Sequence, residues 1–210
     1  MKIVVFGASG KTGSLIVEQA LDAGHEVVAY IRKAGSVKFQ HPNLKICIGN
    51  LSENLRIKDA ITGADACISA LGGKSLTQHS AEFIAGIHHI VSTMEEVGVK
   101  RFIYLSSMGA GESRADMCAC ARLVLADFML RIPLADHTTN ETRIAKSSLH
   151  WTVVRPGSLS NGPIDKNIKA ICKKVSLLTN TSISRASVAA FMLKQLKEKK
   201  YINKSVCLTS

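Results

Sequence analysis

Three glycines at three-residue spacing, Gly7, Gly10 and Gly13, are the residues of this sequence best suited to handling a phosphate. They follow a run of β-branched and aromatic residues, Ile3-Val4-Val5-Phe6, and precede Leu15, Ile16, Gln19, Ala20 and Ala23 at helical spacing. A strand that turns through glycines into a helix aims unpaired N–H groups and a positive dipole end at one point, a ready site for a pyrophosphate. Gly7 allows the tight turn, Gly10 lets backbone approach phosphate, and Gly13 lets helix pack against strand. The spacing G-x-x-G-x-x-G departs from the usual dinucleotide fingerprint, and by itself it also fits an ordinary strand-to-helix turn. Lys11-Thr12 does not complete a P-loop, because the lysine follows its glycine too early for G-x-x-x-x-G-K-[ST]. Arg32 and Lys33 end the next strand, residues 25–31, where a dinucleotide fold reads the adenosine ribose. An Asp or Glu there would accept from the 2′-hydroxyl. Arg32 can instead grip a 2′-phosphate, with Lys33 adding charge, so NADPH is expected over NADH. A solvated basic pair is the alternative.

Two further groups stand at strand ends. Ser106-Ser107 follows the strand 101–105 and offers hydroxyls to a carboxamide or substrate oxygen, although a hydroxyl capping a strand end explains the pair equally well. Leu71-Gly72-Gly73 follows the strand 66–70 and lets backbone come close to a ligand; a flexible strand end is the other reading. The six cysteines suggest reduced thiols, Cys47, Cys67 and Cys207 lying in or beside apolar runs. Cys118 and Cys120 have C-x-C spacing, but no second pair completes a zinc set, and the seven histidines show no ligand spacing, so no metal is expected.

The elements that must position these residues alternate strand with helix. A third strand spans 44–48, Ser52 caps a short helix through Ala60, and a long helix over 77–97 carries Phe83, Ile84, Ile87, Ile90, Val91 and Met94 on one face before Gly98 closes it. Two helices are expected between Arg114 and Lys146, broken near Pro133. A sixth strand covers 151–155, Ser184 begins a last helix, and 206–208 forms a final short strand. That order is met economically by one α/β domain over 1–210, a doubly wound, mostly parallel, Rossmann-like sheet with helices on both faces. Substrate-side loops are expected at about 108–136 and 159–180.

Composition bounds the rest. The chain has 210 residues, 46% of them apolar, enough to bury a core in one domain. The first strand starts at once, leaving no room for a signal peptide, and no apolar run reaches membrane-span length, so a cytoplasmic protein is expected. A formal charge of +11 favours anionic partners. The basic residues are scattered, aromatics make up only 5%, and no recognition signature is visible, which argues against nucleic acid.

With these pieces in order, the chain resembles the atypical short-chain dehydrogenases/reductases of the NmrA-like, NAD(P)-binding kind, and among them the NADPH-dependent flavin reductases or biliverdin-IXβ reductases. The likeness rests on GASGKTG, HEVVAYIRK, the GN after the third strand, ISALGG, GVKRFIYLSS and WTVVRPG. It implies cofactor contacts at Gly7, Ser9, Gly10, Lys11, Thr12, Arg32, Asn50, Leu51, Ala70, Leu71, Gly72, Ser106, Ser107 and Pro156. It also implies that Ser107 lies near the nicotinamide and that His137 occupies the place of the active-site lysine of classical relatives. A surface histidine paired with Glu141 is the alternative for His137.

The sequence departs from classical relatives in having no Tyr-x-x-x-Lys: four residues after Tyr30, Tyr104 and Tyr201 come Ala34, Met108 and Ser205. Without that proton-transfer pair, the expected chemistry is hydride transfer to a small, conjugated and anionic acceptor, such as a flavin or linear tetrapyrrole, whose proton comes from water. Arg114, Arg131 and the lysines of 165–174 are candidates for its acidic groups. The competing expectation is a non-catalytic NADP-binding regulator or redox sensor of the NmrA-like type. A monomer or weak oligomer is expected in either case.

Overall fold

The computed structural model describes residues 1–37, 39–73, 75–115, 129–165, 167–172 and 182–209. Its strands and helices are β1 (Lys2–Phe6), α1 (Lys11–Asp22), β2 (Glu26–Ile31), β3 (Leu44–Ile48), α2 (Asn54–Ile61), β4 (Ala66–Ser69), α3 (Ala81–Val97) and β5 (Arg101–Leu105). A 3₁₀ turn, Gly111–Arg114, leads on to α4 (Arg131–Ala145), β6 (His150–Pro156), β7 (Leu159–Ser160), β8 (Lys169–Ile171), β9 (Ile183–Ser184), α5 (Arg185–Lys194) and β10 (Lys204–Thr209). Eight strands form the central sheet in the order β3-β2-β1-β4-β5-β6-β10-β8, all parallel except the edge strand β8, and β7 pairs with β9 beside it. This is the Rossmann-like arrangement expected.

The sheet is buried on both faces, which is why its central strands are continuous apolar runs and not alternating ones. On β1, Ile3 and Val5 pack with Ile16, Val17 and Ala20 of α1 and with Val188 and Met192 of α5. Val4 and Phe6 face the other way, onto Ile57 and Ile61 of α2, Ile87, Ile90 and Met94 of α3, and Ile144 of α4. Ile3, Val4, Val5 and Phe6 are fully buried. The chain runs outward from β1 to β2 and β3 on one side and from β4 to β5 and β6 on the other, so the direction of winding reverses between β1 and β4. A crevice opens at the carboxyl ends of strands at such a point.

Three boundaries differ from the sequence reading. Helix α3 starts at Ala81, not Thr77, and side chains hold the segment before it: Thr77 and Gln78 donate through their backbone N–H to Ser75 Oγ (3.2 and 3.0 Å), and Ser80 N donates to Asp136 Oδ2 (2.8 Å). Pro133 does not break α4. It sits in the first turn, where a missing N–H removes no intrahelical bond. Ser52 does not cap α2, whose N-cap is Glu53. Ser184 does cap α5, accepting from Ser187 N at 3.0 Å.

Candidate functional site

The turn from β1 into α1 is built by close backbone approaches. Gly7 has φ +77°, and a Cβ there would lie 2.8 Å from the Ala70 carbonyl oxygen, so only glycine lets this turn nest against the end of β4. Gly10 N donates to Gly7 O at 2.9 Å and caps α1 with extended backbone. A Cβ on Gly13 would fall 2.0 Å from Gly7 O. No side chain caps α1 and no acidic residue stands in its first turn, so its amide groups and positive dipole end remain available to an anion.

Beside this turn lies a cleft of about 190 Å³ lined by Gly7, Ser9, Gly10, Arg32, Leu51, Ala70, Leu71 and Gly72 of the residues expected from sequence. Tyr30, Ile31, Ser80, Glu82 and Phe83 complete its wall. The backbone cradle and the uncapped helix end fit a dinucleotide's pyrophosphate, and Leu71 and Phe83 supply apolar surface. Tyr30 is held in place by donating to Asn50 O at 2.9 Å, and burial raises its pKa to about 12.

The remaining expected residues lie around the cleft and not in its wall. Thr12 is buried within α1, Gly13 is packed on Gly7, Lys11 and Lys33 are exposed, and Asn50 N donates to the Glu53 carboxylate (2.8 Å). Pro156 is buried in the sheet, its carbonyl accepting from Met108 N (2.9 Å). Ser106 and Ser107 divide sharply. The Ser106 hydroxyl donates to Glu141 Oε1 at 2.5 Å and is turned into the protein, whereas Ser107 is partly exposed and its hydroxyl makes a long bond to Met108 O (3.4 Å). Arg131 opens α4, Arg114 ends the 3₁₀ turn and Lys169 lies on the edge strand β8. Cys118, Cys120, Lys166, Lys173 and Lys174 lie outside the described residues. Among the described residues no group of acidic, histidine or cysteine side chains could hold a metal.

His137 is not paired with Glu141. Its Nδ1 lies 2.7 Å from the Tyr104 hydroxyl, and its ring meets Phe83 edge-on at 5.2 Å, directly behind the cleft wall. Asn140 Nδ2 donates to the Tyr104 oxygen (3.3 Å), which adds a third side chain to this buried polar group. Burial lowers the His137 pKa to about 4 and raises that of Tyr104, leaving both neutral at pH 7.

This has a consequence for stability. The unfolded chain protonates this histidine near pH 6.5 and the folded chain only near pH 4, so acid favours unfolding across that window. Stability is expected to fall by about 2–3 kcal/mol between pH 6.5 and 4 from this group. Urea melts at pH 7, 5.5 and 4 check it, with the slope reduced in His137→Gln.

Two charged clusters had no signal in the sequence, since their members come from distant elements. Asp136, 1% exposed, accepts from His79 Nδ1 (2.5 Å) and Ser80 N (2.8 Å), pinning the segment after β4 to α4. Arg155 bridges Glu141 and Glu112, the first through Nε (3.1 Å) and Nη2 (2.5 Å), the second through Nη1 and Nη2 (both 2.9 Å). Through Glu112 it ties down the loop that follows Ser107. The neighbouring Arg155 guanidinium holds the Glu112 carboxyl below its usual range.

A family model described as NAD(P)H-binding matches residues 7–199. An uncharacterised chloroplastic protein of Arabidopsis thaliana is 31% identical over an alignment of 205 residues that covers 93% of this chain and 71% of that protein. Among solved structures, ChuY, an anaerobillin reductase from Escherichia coli O157:H7, superposes with a TM-score of 0.82 at 22% identity, covering 100% of this chain and 97% of its own. A short-chain dehydrogenase/reductase from Veillonella parvula in complex with NADP gives a TM-score of 0.83 at 15% identity, covering 100% and 94%. At these identities the two structures establish a shared fold.

Proposed function

The chain belongs to the NAD(P)H-binding family, Rossmann-like and of the atypical short-chain dehydrogenase/reductase type, and from that premise we propose that it is an NADPH-dependent reductase of a conjugated, anionic acceptor such as a flavin or a linear tetrapyrrole. The observation that carries this reading is the cleft at the β1/β4 switch point, with the glycine cradle at one end and Arg32 on its wall. Arg32 is the group that would hold a 2′-phosphate, and the first turn of α1 the pyrophosphate. The bound coenzyme would supply hydride.

The protein's part is then to position and to keep water out. The hydroxyl of Ser107, held among the described residues by a long bond to Met108 O, is available to a carboxamide or acceptor oxygen. His137 is neutral at pH 7, so it offers the site a hydrogen-bonding imidazole and not a cation. No tyrosine here has the lysine that alcohol–ketone chemistry requires, whereas a π-system that spreads its own charge needs mainly proximity and an apolar stacking surface. The activity of ChuY, whose chain has this fold, supports the acceptor class.

Arg32→Asp tests the cofactor arm. It is expected to weaken NADPH binding by about 10–100-fold, the worth of a charge-assisted phosphate contact, while NADH binding changes by no more than about threefold. Titration of both nucleotides checks this, and absorbance at the NADPH band with FMN, riboflavin, a quinone or biliverdin checks turnover, which Ser107→Ala should reduce. Tight NADPH binding without turnover of any acceptor would point instead to a nucleotide sensor.

A further inference from the structure

The cleft wall carries two charged side chains among the described residues, Arg32 and Glu82, and they face each other. Arg32 follows the carboxyl end of β2, and Glu82 is the second residue of α3. Arg32 Nη1 lies 3.8 Å from Glu82 Oε1, and both side chains are about half exposed. The wall is therefore close to neutral, despite the chain's formal charge of +11.

In a dinucleotide fold, a carboxylate beside the adenosine ribose accepts from the 2′-hydroxyl and repels a 2′-phosphate, while an arginine there does the reverse. Here the arginine stands at the expected strand end and a carboxylate arrives beside it from another element, fifty positions along the sequence. We infer that Glu82 is a specificity-determining residue of the cleft, which opposes Arg32, narrows the preference for the phosphorylated coenzyme and keeps the non-phosphorylated one usable. The inference rests on the proposal that the cleft binds NADPH.

Two effects of Glu82 act in the same direction. Its carboxylate occupies the guanidinium that a phosphate would engage, so binding the phosphate must first displace it. It also remains within a few ångströms of the phosphate dianion and repels it through water. A ribose 2′-hydroxyl meets neither penalty and gains an acceptor. The effect is electrostatic and half exposed, so salt must weaken it.

The test is Glu82→Gln, which keeps the shape of an exposed side chain and removes its charge. NADPH and NADH are titrated against both proteins at low and high ionic strength. At low salt the variant is expected to bind NADPH about 3–10-fold tighter and NADH equally well or more weakly, and the gain for NADPH is expected to shrink when added salt shortens the Debye length to about 3–4 Å. An equal change for both nucleotides, an unchanged NADPH affinity, or a gain that salt leaves untouched would overturn the inference while the reductase reading stands. Failure of the unmutated chain to bind either nucleotide would overturn both.

Discussion

Arg155→Met is expected to destabilise the protein by about 3–5 kcal/mol, the range for breaking a buried ion pair from one side. Arg155 is 3% exposed and Glu141 7% exposed, and the guanidinium supplies two hydrogen bonds to that carboxylate. Methionine fills much of the same volume and donates nothing, so Glu141 would be left as a buried charge with Ser106 as its remaining donor among the described residues. The outer carboxylate behaves differently. The Glu112 side chain is 74% exposed, and Glu112→Gln is expected to cost less than about 1 kcal/mol because water replaces what it loses. Urea denaturation of both variants at pH 7 separates the two cases. Replacing Arg155 and Glu141 together by apolar residues is expected to recover most of the loss, since the cost lies in the orphaned charge and not in the absence of attraction. The loop that follows Ser107 should loosen in each variant that frees Glu112, which a protease accessible to residues 108–114 would detect.

This arginine also shows where sequence reasoning stops. The strand carrying it was legible: 151–155 opens on aromatic and β-branched residues, Trp151 to Val154, and is followed by a proline and glycine, and β6 occupies His150–Pro156. The partners were not, because Glu112 and Glu141 come from a 3₁₀ turn and a helix that the sequence brings no nearer than any other acidic residues. Glu141 was visible only as a helical neighbour of His137, at i+4, and periodicity offered that pairing as the alternative to a site role for His137. The fold sends His137 toward Tyr104 and Glu141 toward Ser106 and Arg155, a difference of tertiary packing that helix spacing does not encode. Local patterns fared better wherever the constraint itself was local. The glycine turn, the strand ends at Arg32 and Leu71 and the Ser184 cap depend on backbone conformation or on residues a few positions apart, and all are found where the sequence places them. The start of α3 was misplaced, and of the two side chains that hold the segment before it, Ser75 and Asp136, the second lies across the fold.

Gly13→Ala is expected to reduce affinity for either nicotinamide dinucleotide by at least about 100-fold, the largest functional effect of a single substitution that this cleft predicts. The added methyl carbon would sit 2.0 Å from Gly7 O, 2.8 Å from Gly7 C and 3.1 Å from Ala8 Cα. All three are backbone atoms, so no side chain can rotate away and the helix must move off the turn. That movement acts on the part of the cleft made of backbone, in which the carbonyl of Gly7 also accepts from Gly10 N and Gly7 itself rests on Ala70. Once α1 shifts, the amide groups of its first turn no longer converge with the Ser9–Gly10 segment on one anion. The apolar contacts of Ile16, Val17 and Ala20 with the sheet anchor the rest of the helix, so the protein is expected to stay folded with a lowered melting temperature. Thermal melts and nucleotide titration of the same preparation separate lost binding from lost fold. Gly24→Ala is the matched control: its Cβ would meet nothing within 4 Å, but its φ of +76° carries backbone strain, so it should lower stability while leaving nucleotide affinity unchanged.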